Sequence, residues 1–181
     1  QLVLVTGGSR SGKSDYARHL AEALTGPRAF IATCPVVDQE MSERIRKHQE
    51  ARSSADWHTI EEPLHIARSL KDGPSFRVFL VDCLTLWINN LMYEASQNGK
   101  TFTEEHIADR CDEVLKACSS LEGTVFLVTN EVGSGIVPEN ELSRRYRDLV
   151  GRCNHIVADA ADRVVLVCCG LPLTLKEKRI R

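Results

Sequence analysis

Eight residues near the start of the chain, Gly7-Gly8-Ser9-Arg10-Ser11-Gly12-Lys13-Ser14, fit the spacing G-x-x-x-x-G-K-[ST]. That pattern serves phosphate chemistry. The glycines let the backbone approach an anion closely, and successive N–H groups form a concave nest for its oxygens. A helix starting there adds partial positive charge. Lys13 then reaches the β- and γ-phosphates, and the Ser14 hydroxyl coordinates Mg²⁺. Asp82 closes the apolar run Val78-Phe79-Leu80-Val81, a Walker B pattern. A carboxylate there suits Mg²⁺, a hard ion, directly or through water. A plain surface aspartate at a strand end is the alternative.

His48 shares a helical face with Met41, Ile45 and Arg52, at spacings of four, three and four. Spacing alone is met as well by a histidine packed on a half-buried stripe. Chemically, a neutral imidazole can attack phosphorus to give a phosphoramidate, and an arginine can hold phosphate oxygens bidentately. Both readings stand on the residues. Asn130 and Glu131 follow an apolar run and precede Gly133 and Gly135, so they are candidates for substrate contact in a loop that can approach a ligand closely.

These residues need elements to hold them. Leu2-Val3-Leu4-Val5-Thr6 predicts a strand entering the glycine-rich loop, and Ala17, Leu20, Ala21 and Leu24 predict an amphipathic helix leaving it. Further strands are expected at Ala29–Thr33, Trp57–Glu61, Arg77–Asp82, Thr124–Thr129 and Val164–Cys168, with a short edge piece near Leu173–Leu175. Helices are expected over 39–52, from Pro63 to about Leu70, over 84–95, from a Thr103 cap to about Ser119, and over 139–161. In the last, Leu142, Tyr146, Leu149, Cys153, Ile156 and Ala160 are assigned to one apolar face. Strands alternating with helices predict an α/β fold with a mostly parallel sheet. Together with the P-loop motif, the fold expected is a three-layer P-loop NTPase of the RecA-like kind. Ligands in such sheets bind beyond the carboxyl ends of the strands, which brings the P-loop, Thr33-Cys34, Asp82-Cys83 and Asn130-Glu131 around one cleft.

The 181 residues, 43% hydrophobic and 27% charged, suit a single domain over 1–181 with a sizeable core. A net charge of −2 gives no reason to expect nucleic acid or an anionic membrane. No run of eighteen apolar residues predicts a membrane span, and the short apolar start does not have the form of a signal peptide. Seven cysteines without C-x-x-C spacing indicate neither a disulfide framework nor a zinc site. They fit a reducing cytoplasm.

The ordered pieces give a more specific resemblance. Thr6–Ser14; Ile31-Ala32-Thr33; Glu40-Met41 with Arg44-Ile45 and His48; Arg52; Trp57 with Thr59 and Glu61; and Thr129–Gly133 with Gly135–Glu139 are similar to motifs of the bifunctional adenosylcobinamide kinase/adenosylcobinamide-phosphate guanylyltransferases of cobalamin synthesis. They occur in family order across almost the whole chain. The resemblance implies phosphorylation of the aminopropanol hydroxyl of adenosylcobinamide with ATP or GTP. It also implies GMP transfer from GTP, through a histidine, to adenosylcobinamide phosphate, giving adenosylcobinamide-GDP. His48 matches the guanylylated histidine. Ala32, Thr33, Cys34, Gln49, Glu50, Ala51, Arg52, Glu61 and Asp82 match positions lining the nucleotide site. In the family the residue at the Asp82 position is acidic and sometimes glutamate. Members are similar to trimers, so a homotrimer is implied, with the histidine-bearing helix near a subunit boundary.

Two other readings compete. A monofunctional P-loop small-molecule kinase would leave His48 structural and form no covalent enzyme–nucleotide. A nucleotide-dependent switch is opposed by the sequence, since Asn130 opens no N-K-x-D motif and Asp82 no D-x-x-G.

Overall fold

The structure is a computed structural model describing residues 1–34, 57–73 and 75–178. Among these, seven strands form one sheet in the order β3-β2-β4-β5-β1-β6-β7. The strands are β1 (Leu2–Gly7), β2 (Arg28–Ala32), β3 (Trp57–Glu61), β4 (Val78–Asp82), β5 (Thr124–Val128), β6 (Arg163–Cys168) and β7 (Leu171–Glu177). Every pairing is parallel except β6 with β7. Five helices accompany them: α1 (Lys13–Glu22), α2 (Ile66–Lys71), α3 (Leu84–Gln97), α4 (Glu104–Ser119) and α5 (Glu141–Ala160).

Alternation along the strands divides the core in two. Leu2, Leu4, Phe79, Val81, Val125 and Leu127 face α2–α5, where Trp87, Ile88, Ile107, Val114, Leu149 and Val157 are buried against them. Val3, Val5, Leu80, Phe126, Val128 and Val165 face the other way, onto Ala17 and Ala21 of α1. Both faces of the central strands are thus apolar, which is why β1, β4 and β5 read as continuous hydrophobic runs rather than alternating ones.

Three expectations need adjusting. The second helix starts at Ile66, not at Pro63. Glu62 explains this, because its carboxylate accepts the N–H groups of Leu64 and His65 and holds a turn there. In α5 the buried residues are Leu149, Val150, Cys153 and Val157, while Leu142 is 65% exposed. The first turn of α5 lies beyond the core, so Leu142 there gains little cover, whereas Tyr146 one turn on packs against it. The edge piece near Leu173 is a seven-residue strand, β7, pairing antiparallel with β6 through a two-residue turn. The helix expected over 39–52, with His48, Gln49, Glu50, Ala51 and Arg52, lies outside the described residues.

Candidate active site

β1 delivers the chain into the P-loop, and Gly12, at φ 89, caps α1 from the left-handed region that glycine tolerates without strain. Gly7 is fixed by space instead. A Cβ there would sit 2.4 Å from the Val167 carbonyl oxygen and 2.6 Å from Ser11 Oγ. Two backbone bonds from other parts of the sheet clamp the loop. The Glu131 N–H donates to the Gly7 carbonyl (3.1 Å), and the Gly170 N–H donates to the Ser11 carbonyl (2.9 Å). Lys13 is largely buried, and its Nζ donates to the Gly8 carbonyl at 3.1 Å.

The pairing register places Glu61, Ala32, Asp82, Val128 and Val5 in one row across the carboxyl edge of the sheet. At about 4.8 Å per strand, Asp82 stands roughly 10 Å across the sheet from β1. The buried Cys83 thiol is pushed up to about 11 by burial and then by the Asp82 charge, with Lys13 acting in the opposite direction. Both charges therefore bear on this one position. Thr33 bridges β2 to β4: its hydroxyl donates to the Cys83 carbonyl and accepts the Cys83 N–H, both at 2.8 Å. Asn90 on α3 holds the end of β2 by donating to the Thr33 carbonyl (2.8 Å) and also reaches the Pro63 carbonyl (3.0 Å). Cys34 follows, half-buried.

Asn130 is held by side chains. Its Nδ2 donates to Thr85 Oγ1 (3.0 Å), which also meets Cys83 Sγ (2.9 Å). Asn154 on α5 donates to the Asn130 carbonyl (3.0 Å) and accepts the Thr129 hydroxyl (2.7 Å). The Tyr146 hydroxyl donates to the Thr85 carbonyl (3.2 Å), and burial pushes that phenol up to about 12. Thr85 and Asn154 escaped sequence reasoning, which placed Tyr146 only on the apolar face of its helix. Tyr146, Val150 and Asn154 share one face of α5 at i, i+4 spacing, but that spacing alone does not mark Asn154 as bonded rather than solvated. Glu131 is exposed, and its carboxylate accepts the Gly133 N–H at 2.7 Å.

Thr6 Oγ1, Ser11 Oγ and Asn130 Oδ1 are buried and make no hydrogen bond among the described residues. Buried polar atoms without partners are costly in protein interiors, and here they border a phosphate loop. The Ser14 hydroxyl and the Asp82 carboxylate are hard oxygens of the kind that suits Mg²⁺. The structure thus gathers Gly7–Ser14, Ala32, Thr33, Cys34, Glu61, Asp82, Asn130 and Glu131 along one edge of the sheet.

Residues 3–175 match the family model described as cobinamide kinase / cobinamide phosphate guanyltransferase. The chain belongs to that family. Among its relatives, the bifunctional adenosylcobalamin biosynthesis protein CobP of Pseudomonas aeruginosa is 40% identical, over 96% of this chain and 96% of that protein. The protein CobU of Salmonella typhimurium, described in the same words, is 40% identical over 97% of this chain and 99% of its own length. Solved structures agree on the fold. An ATPase of a bacterial type III secretion system superposes with a TM-score of 0.57 at 13% identity, covering 92% of this chain and 50% of that one. A KaiC-like protein from Pyrococcus horikoshii gives 0.53 at 14%, covering 99% and 80%. Among the described residues no helix is long and apolar enough to cross a membrane.

Proposed function

We propose that this family member phosphorylates adenosylcobinamide and then converts the phosphate to adenosylcobinamide-GDP with GTP, using one P-loop for both triphosphates. The observation that carries this reading is the clamped loop with Lys13 above the row Glu61–Ala32–Asp82, within a chain matched to the family from residue 3 to residue 175.

In the first reaction the aminopropanol oxygen attacks the γ-phosphorus of ATP or GTP, and the bond to the bridging oxygen breaks. The loop amides and Lys13 take up charge on the departing diphosphate, so little covalent work falls to the protein. In the second, a His48 ring nitrogen attacks the α-phosphorus of GTP and pyrophosphate leaves. The phosphate of adenosylcobinamide phosphate then displaces the imidazole, restoring His48 and forming the diphosphate linkage. Arg52, beside His48 on the expected helix, holds α-phosphate oxygens. Gln49, Glu50, Ala51, Thr33, Cys34 and Glu61 complete the nucleotide site, and Asn130 and Glu131 contact the corrinoid. Mg²⁺ held by Ser14 and Asp82 would neutralise triphosphate charge. A cytoplasmic location is supported by seven cysteines whose spacing indicates no disulfide framework. A homotrimer is supported by the exposed apolar residues Ile136, Val137 and Leu142.

The test is labelling with GTP carrying radioactivity in the α- or the γ-phosphate. The α-label should mark the protein, acid should remove it as expected of a phosphoramidate, and the γ-label should not bind. His48→Asn should lose the mark and GMP transfer while keeping kinase activity. A mark retained in that variant moves the nucleophile elsewhere. No mark in the wild type leaves a plain kinase.

A further inference from the structure

The β6–β7 turn carries two adjacent cysteines, Cys168 and Cys169, both exposed, with sulfurs 3.9 Å apart. Cys168 pairs with Leu171 across the turn, so Cys169 and Gly170 are its two central residues. Their φ values are 52 and 80, as a type I′ hairpin requires. Asn or Gly takes the first of these positions with least strain, whereas a cysteine there costs roughly 1 kcal/mol. Turn geometry therefore gives no reason for Cys169. The same turn touches the phosphate loop, since the Gly170 N–H donates to the Ser11 carbonyl, and a Cβ on Gly12 would meet Gly170 Cα at 3.5 Å.

Two chemistries are open to neighbouring thiols. Direct oxidation is disfavoured, because adjacent Cα atoms lie about 3.8 Å apart, inside the lower limit of about 4.4 Å for ordinary disulfides. A bridging atom between the sulfurs removes that conflict. Among the described residues no third cysteine, histidine or carboxylate joins them into a larger ligand set, so the site offers two sulfurs and no more. The Cys168 thiol is held above its usual range by its hydrogen bond to Cys169.

We propose that Cys168 and Cys169 form a vicinal dithiol that chelates a trivalent arsenical, and that its occupation weakens nucleotide binding at the P-loop. In the reaction a dihydroxyarsine loses two As–O bonds and gains two As–S bonds. The two thiol protons leave with the hydroxides as two waters, and arsenic stays trivalent. Closing the ring re-aims Cys169, shifts Gly170 and pulls its N–H from the Ser11 carbonyl. The coupling rests on the P-loop being the nucleotide site; the chelation does not.

The test uses the full chain and phenylarsine oxide, read by intact mass and by calorimetric titration with a non-hydrolysable GTP analogue. One arsenical per chain should bind, released by 2,3-dimercaptopropanol but not by an excess of a monothiol. The nucleotide Kd should rise about tenfold, the worth of one lost backbone hydrogen bond. By reciprocity the nucleotide should weaken arsenical binding by the same factor. Cys168→Ser/Cys169→Ser should abolish the adduct, and Cys169→Asn, which suits the turn, should do so with the fold intact by circular dichroism. A dithiol-reversible adduct surviving in the double variant would overturn the assignment and point to the buried Cys111–Cys153 pair, 3.4 Å apart. An adduct that leaves nucleotide affinity unchanged would overturn the coupling. If the unmodified protein bound no nucleotide, the P-loop reading would fail while the arsenical count still judged the dithiol.

Discussion

The P-loop and the segment leaving β5 meet at one hydrogen bond, from the Glu131 N–H to the Gly7 carbonyl, yet they are held by different means. The P-loop is shaped by main chain: a left-handed Gly12, a Gly7 with no room for a methyl group, and two long-range backbone bonds. The Asn130 segment is shaped by side chains from two helices, with Thr85 on one side and Asn154 on the other. A loop held by backbone can give its side chains to chemistry. A loop held by side chains uses them for support, so changes there affect stability first.

Lys13→Ala should break the P-loop's chemistry with the largest effect. Loss of its charge should lower both kinase and GMP-transfer rates by about 10²–10³, with the melting temperature nearly unchanged. Normal turnover in either reaction would separate the two reactions onto different sites. Asn154→Leu should do the converse. It leaves the Thr129 hydroxyl and the Asn130 carbonyl unpaired, at about 1–3 kcal/mol, and thermal unfolding should fall by several degrees. Its rates should drop far less than in Lys13→Ala; a rate loss at normal stability would make Asn154 part of the chemistry.

Glu131→Gln sharpens the contrast where the two segments touch. Glutamine can still accept the Gly133 N–H, so only the charge is lost. Corrinoid phosphorylation or transfer should slow by up to about tenfold at an unchanged melting temperature. A fall in melting temperature alone would make the residue a loop support. Smallest is Asp162→Asn, remote from both segments. The Leu2 N–H, donating at 2.9 Å, and then Lys178 hold the Asp162 carboxyl below its ordinary range. A lowered folded value adds stability above the unfolded value of about 3.9 and loses it as pH falls through the folded one. Solvent screening keeps this below about 1 kcal/mol. The melting difference between variant and wild type should hold from neutral pH to about 5 and shrink below about 4.

The same contrast explains what the sequence could reveal. The P-loop was legible because a backbone nest demands glycine at fixed offsets, and β1, β4 and β5 because burial on both faces leaves unbroken apolar runs. Thr103 was legible as a cap, and its hydroxyl receives the His106 N–H while the His106 ring accepts the Thr103 N–H. Thr85, Asn90 and Asn154 were not. Each acts through partners distant in the chain, and nothing local distinguishes an asparagine bonding a strand end from one facing water. Gly170 was missed for the same reason: its part in the site is a hydrogen bond to Ser11 that no spacing encodes.

The two bonds that clamp the P-loop have a consequence for synthesis. A ribosome makes residues 7–14 before their partners, Glu131 and Gly170, which come after β5 and after β6. The motif therefore exists long before the nest does. A nascent chain cannot close its phosphate loop until the β6–β7 hairpin has joined β1, an assembly of high contact order and correspondingly slow. Nucleotide then favours chains in which this hairpin has docked on β1, and each binding event draws the remaining ones toward that state.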